Sequence, residues 1–124
     1  MEVPILKQGP YLLAPVQSAL RDADLIQLRD RLTAQVGHYR SRGVIVDVTA
    51  LDVMDSFAAR TLRDLAHMVR LRGAETVIVG IQPDVAFAMV QMGLTLEGVA
   101  TALDLEEGQE YLASRADPQQ PPRP

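Results

Sequence analysis

Val44-Ile45-Val46-Asp47-Val48 is a nearly unbroken β-branched run, and it constrains this chain more than any other segment. Such side chains lose rotamer freedom in a helix, and a run without polar alternation suits a strand covered on both faces. Beyond it the period changes. From about Ser56 to Arg72, the residues Ala58, Leu62, Leu65 and Val69 fall at i, i+4, i+7 and i+11, one stripe of a helix. Gly73 ends that helix, and Thr76-Val77-Ile78-Val79 is a second strand-like run. Val44 to Val79 therefore predicts strand–helix–strand with the two strands parallel, because a crossover of this length carries the chain back to its starting edge.

The flanking sequence extends this unit. Val3 to Lys7 and Tyr11 to Val16 read as two strands joined by a turn at Gly9-Pro10. A helix is predicted from about Asp24 to Arg42, with Leu25, Leu28, Leu32 and Val36 inward and Arg29, Asp30, Arg31 and Gln35 outward. Asp22 and Asp24 suit its entrance, Arg40 and Arg42 its exit. After the loop Gly80-Ile81-Gln82-Pro83, Asp84 reads as the N-cap of a short helix to about Met92. Val99 to Ala102 is a brief strand, and Asp104 with Glu107 resembles a capping box opening a last helix to about Arg115. The order β-β-α-β-α-β-α-β-α is that of an α/β domain, a mixed sheet of four or five strands with about four helices. One domain is expected over residues 1–116. The tail 117–124 is rich in Pro and Gln, holds four of the eight prolines, and is expected to be disordered.

Composition narrows the chemistry. The 124 residues contain no cysteine, which removes disulfides, thiol nucleophiles and thiolate zinc sites. Aromatic content of 4% and a net charge of −4 argue against a nucleic-acid binder, which needs a basic stripe and stacking platforms. Eleven of the twelve basic residues are arginine, which reads as codon composition rather than function. No signal segment or membrane span is visible, so a cytoplasmic location is expected.

Three constellations invite a catalytic reading. Val79-Gly80-Ile81-Gln82-Pro83 has one glycine where a phosphate-cradling loop needs several, so no nucleotide cofactor is expected. Asp55, Ser56 and His67 suggest a triad, but eleven helical residues separate Ser56 from His67 by roughly 16 Å. His38 and His67 read as exposed helix residues, His67 within reach of Asp64. Asp47, Asp52 and Asp55 could bind Mg²⁺ or do acid–base work, yet each sits where caps and turns use aspartate anyway. Ser56 stands at the mouth of a helix, beyond the carboxyl end of a central strand. Either Ser56 or Asp55 reads as the N-cap of that helix, or Ser56 reads as a phosphoacceptor. Residue spacing alone leaves both open.

The segment Val44 to Phe57, with Asp55-Ser56 opening the helix, resembles the central motif of STAS domains, the family of anti-anti-sigma factors. The likeness continues through Arg72-Gly73-Ala74, Thr76 to Val79, Gly80-Ile81-Gln82-Pro83 and Ala102-Leu103-Asp104-Leu105-Glu106. It covers about residues 3–115 and is greatest for the small RsbS type found in stressosomes. The resemblance implies a STAS fold and a non-enzymatic role with no catalytic residue, cofactor or metal. It implies co-assembly with larger RsbR-type STAS proteins and capture of an RsbT-type serine/threonine switch kinase. By motif position Ser56 is the phosphorylation site, and Asp52, Asp55, Phe57, Gln82 and Pro83 are candidates for the kinase-facing surface. Some relatives carry a second hydroxyl in the helix after that loop; Ala86, Phe87, Ala88 and Met89 offer none. Phe87, Met89 and Met92 are candidates for contact with neighbours, although Met and Phe at helical spacing mostly belong to a core. A simple anti-anti-sigma factor that binds an anti-sigma kinase directly is the first alternative. A small metal-dependent enzyme using Asp47, Asp52 and Asp55 is the second.

Overall fold

The computed structural model describes residues 2–17 and 20–116. The tail 117–124, expected to be disordered, lies outside the described residues. In chain order the elements are β1 (Leu6–Gln8), β2 (Tyr11–Pro15), α1 (Asp22–Tyr39), β3 (Gly43–Asp47), α2 (Ser56–Leu71), β4 (Glu75–Val79), α3 (Pro83–Gln91), β5 (Ala100–Ala102) and α4 (Leu105–Ala116). This is the predicted β-β-α-β-α-β-α-β-α order, with five strands rather than four.

The strands lie side by side in the order in which they occur, β1 to β5. β1 runs antiparallel to β2, while β2, β3, β4 and β5 are mutually parallel. The register pairs Val44 with Leu12 and Thr76, and Ile45 with Leu13 and Val77. Because side chains alternate across a strand, this register sorts the apolar residues onto two faces. Leu12, Ala14, Val44, Val46 and Ile78 join Leu28, Leu32, Leu62, Leu65 and Val69 in the larger core, under α1 and α2. Val85 and Met89 of α3 close the same core. Leu13, Ile45, Val77 and Val79 form a smaller cluster under Leu112 of α4.

Gly108 lets α4 approach the sheet closely, since a Cβ there would lie 2.7 Å from Cγ1 of Val79. The continuous apolar character of β3 follows directly: Val44, Ile45 and Val46 are all fully buried, because both faces of this central strand are covered.

Several boundaries differ from the sequence-based expectation, the start of α1 at Asp22 rather than Asp24 among them. α1 ends at Tyr39, before Arg42, because Arg40 adopts the left-handed conformation and its amide turns back to the Val36 carbonyl. α3 starts two residues earlier than expected: Gln82 is the N-cap and Pro83 occupies the first turn, so Asp84 is a first-turn acid and not the cap. Val3 lies outside β1, yet it is buried, and its carbonyl accepts a hydrogen bond from Arg31 at 2.6 Å. Among the described residues, no helix is long and apolar enough to cross a membrane.

Candidate functional site: Ser56 and the loops at the carboxyl ends of β3 and β4

β3 ends at Asp47, and the chain then takes eight residues to reach α2. Two devices hold this loop. Leu51 and Met54 are buried beneath it. Asp47 accepts hydrogen bonds at Oδ1 from both the amide (2.9 Å) and the hydroxyl (2.6 Å) of Thr49, a local turn that begins the loop. Asp55 ends the loop as the N-cap of α2, where its Oδ1 accepts the Ala58 amide at 2.8 Å. Satisfying an otherwise orphaned amide fixes where the helix begins.

That start determines what Ser56 can do. Ser56 is the first residue of α2 and is exposed, with Asp52 and Asp55 exposed beside it in sequence. The cap is therefore Asp55, which leaves the Ser56 hydroxyl outside the helix's hydrogen-bonding framework. No partner for that hydroxyl is found among the described residues.

Phe57 is half-buried and packs against the larger core, so it supports the helix from below as well as bordering the surface.

The neighbouring β4–α3 loop is tied to this one. Gln82 donates from Nε2 to the Thr49 carbonyl at 2.6 Å, across 33 residues of sequence. Gly80 carries a φ of +81°, and the Thr49 hydroxyl occupies the space where a side chain on residue 80 would stand. Pro83 is exposed at the start of α3. Asp52, Asp55, Ser56, Gln82 and Pro83 thus belong to two loops and the helix starts that follow them at one end of the sheet, joined by the Gln82–Thr49 bond.

Thr49 and Asp47 complete this latch. The Asp47-x-Thr49 spacing hinted at the local turn, whereas nothing in the sequence pairs Thr49 with Gln82.

The remaining candidates are dispersed. His38 and His67 are exposed on α1 and α2, as expected. Met89 is buried in the core, unlike the expectation that it contacts neighbours, while Phe87 and Met92 are exposed. Among the described residues, no group of three or more His, Asp or Glu side chains is placed to hold a metal ion. Asp47 and Asp55 are instead engaged by a hydroxyl and by backbone amides. One acid at the start of α1 is perturbed: the Arg21 amide donates to Asp24 at 3.0 Å and holds its carboxyl below the usual range.

Comparison with known proteins gives this geometry a context. The STAS domain model matches residues 4–108. RsbT co-antagonist protein RsbRA of Bacillus subtilis (strain 168) is 32% identical over 82 residues, 66% of this chain and 30% of that protein. The chain therefore spans less than a third of the length of this curated relative.

A serine-to-glutamate variant of RsbS from Moorella thermoacetica superposes with a TM-score of 0.79 and 34% identity, covering 94% of this chain and 98% of that one. A chain from the stressosome, described as a signal integration and transduction hub, has a TM-score of 0.76 and 36% identity, covering 91% and 98%. The family match includes β3, the Asp55-capped start of α2 and the Gln82 loop, and the chain belongs to the STAS domain family.

Proposed function

We propose that this chain is a non-enzymatic regulatory component of a stress-signalling partner switch. It holds an RsbT-type serine/threonine kinase together with RsbR-type STAS proteins, in the cytoplasm, and releases the kinase when Ser56 is phosphorylated. The observation that carries this reading is the placement of Ser56. It is an exposed hydroxyl on the first residue of a helix whose cap is another residue. The similarity to RsbS and to a stressosome chain supports the choice of partners, as does the likeness to a protein described as an RsbT co-antagonist.

The physical consequences of phosphorylation follow from that placement. A phosphate brings about −1.5 to −2 charges at pH 7 and three acceptor oxygens. Free amides and the positive end of α2 accommodate it, so the fold need not change. The surface does change. Bulk and charge appear beside the carboxylates of Asp52 and Asp55, and a partner packed there must desolvate them. Asp52, Asp55, Phe57, Gln82 and Pro83 are the proposed kinase-facing residues, with Gln82 acting partly by holding the two loops together.

Co-expression with an RsbR-type STAS protein and an RsbT-type kinase tests the proposal. Size exclusion and electron microscopy should show a large particle that retains the kinase. Ser56→Asp should weaken that retention, although one carboxylate copies a phosphate poorly. A chain that stays monomeric and captures no kinase would contradict it. Direct capture by a monomeric chain would instead favour a simple anti-anti-sigma factor.

A further inference from the structure

A cleft of about 160 Å³ is lined by residues from the start of α1 and from the loop that leads into α2. Its floor is part of the core: Val16, Leu25, Val48 and Leu62 are all nearly closed to solvent. The exposed residues of its lining are Asp22, Val53 and Asp55, with Val53 at 69% exposure. No lysine, arginine or histidine contributes to the lining. Asp22 is the first residue of α1, and Asp55 caps α2 with one oxygen engaged by the Ala58 amide. Neither carboxylate forms an ion pair among the described residues.

An apolar floor beneath two carboxylates suits an aliphatic chain tipped by a cation. The carbon stem loses its water against the floor while the charged head stays at the wet rim. An anion would meet two like charges, and a bare hydrocarbon would gain nothing from them. The volume also fits, since an apolar cavity of roughly 150 Å³ accepts a benzene-sized molecule and hence a four-carbon stem. We propose that this cleft is a socket for a lysine or arginine side chain of the protein that docks over Ser56. That the docking protein is a switch kinase rests on the function proposed above; the preference for a cation-tipped aliphatic chain does not.

Isotope-labelled full chain titrated with n-butylammonium, n-butylguanidinium and n-butanol at low ionic strength tests the socket by methyl and amide NMR. Saturable shifts are expected at Val48, Leu51 and Leu62. The cations should bind about three-fold more tightly than the alcohol, the scale of an exposed ion pair. Asp22→Asn combined with Asp55→Asn should bring the three probes to equal affinity, since asparagine retains the cap. Ala58→Leu, which enlarges a residue lining the cleft, should abolish the shifts for all three. Should that variant fail to fold, the charge variant still decides.

Butanol binding as tightly as the cations to the wild type would overturn the proposal, as would no saturable shift, which would make the cleft a packing defect. Cation binding that survives unchanged in the charge variant would also overturn it. If the probes bind as expected but the kinase is not captured, the socket stands and only the identity of its occupant falls.

Discussion

α2 and α3 start at the same end of the sheet and cover the same face, yet the chain uses them differently. α2 has 16 residues, is capped by a side chain, and buries Ala58, Ala59, Thr61, Leu62, Leu65, Ala66 and Val69. α3 has nine, lacks a side-chain cap, and buries only Val85 and Met89. Its outer face shows Phe87 at 66% and Val90 at 76% exposure. A helix pinned along its whole length presents its first residue in one place. Ser56 sits on that helix, so the proposed switch residue is held on a rigid support while α3 can be altered cheaply.

This contrast predicts a graded series of stability effects. The largest belongs to the middle of α2. Leu65→Ala should destabilise the domain by about 2–5 kcal/mol, since a buried leucine leaves a cavity that relaxes only in part. Urea unfolding checks this, and a loss below about 1 kcal/mol would place α2 closer to α3 than the packing implies. Asp55→Ala comes next, at about 1 kcal/mol for a lost N-cap. Asp55→Asn should recover most of that loss, because the acceptor oxygen is retained.

Gln82→Ala should cost about 0.5–1.5 kcal/mol, the net worth of one hydrogen bond. Hydrogen exchange should show faster opening of the 48–55 loop in this variant with the middle of α2 unchanged. Equal protection in the loop would mean that Leu51 and Met54 hold it without the latch. The smallest effect is expected on the outer face of α3. Phe87→Ser should shift stability by less than about 0.5 kcal/mol, as for exposed positions generally.

The same contrast explains how far the sequence could be read. α2 is legible because its stripe runs through Ala58, Leu62, Leu65 and Val69 between the polar pair Asp55-Ser56 and Gly73, although only the structure decides that Asp55 is the cap. The strands β3 and β4 were legible because both faces are covered, which demands unbroken apolar runs. α3 was harder. Its composition is apolar nearly all round, so Met89 and Phe87 look alike in sequence although one is core and the other surface. Aspartate is the stronger capping residue, which favours Asp84 in sequence, yet Pro83 in the first turn places the cap at Gln82.

At the candidate site, local pattern places Asp55 and Ser56 at the start of a helix, and family likeness singles out Ser56 as the proposed phosphoacceptor. The Gln82–Thr49 latch was not, since it depends on two adjacent strands bringing their loops together. The cleft beneath Asp22 and Asp55 is likewise invisible in sequence, being built from α1, the residues that precede it, the 48–55 loop and α2.

The role of Ser56 is the central claim, and one measurement addresses it. The full chain and Ser56→Ala are incubated with an RsbT-type kinase and Mg-ATP, and the intact masses are compared. The account predicts one phosphate on the wild type and none on the variant. Equal labelling of both, or an unlabelled wild type under conditions where the kinase modifies another STAS protein, would contradict it.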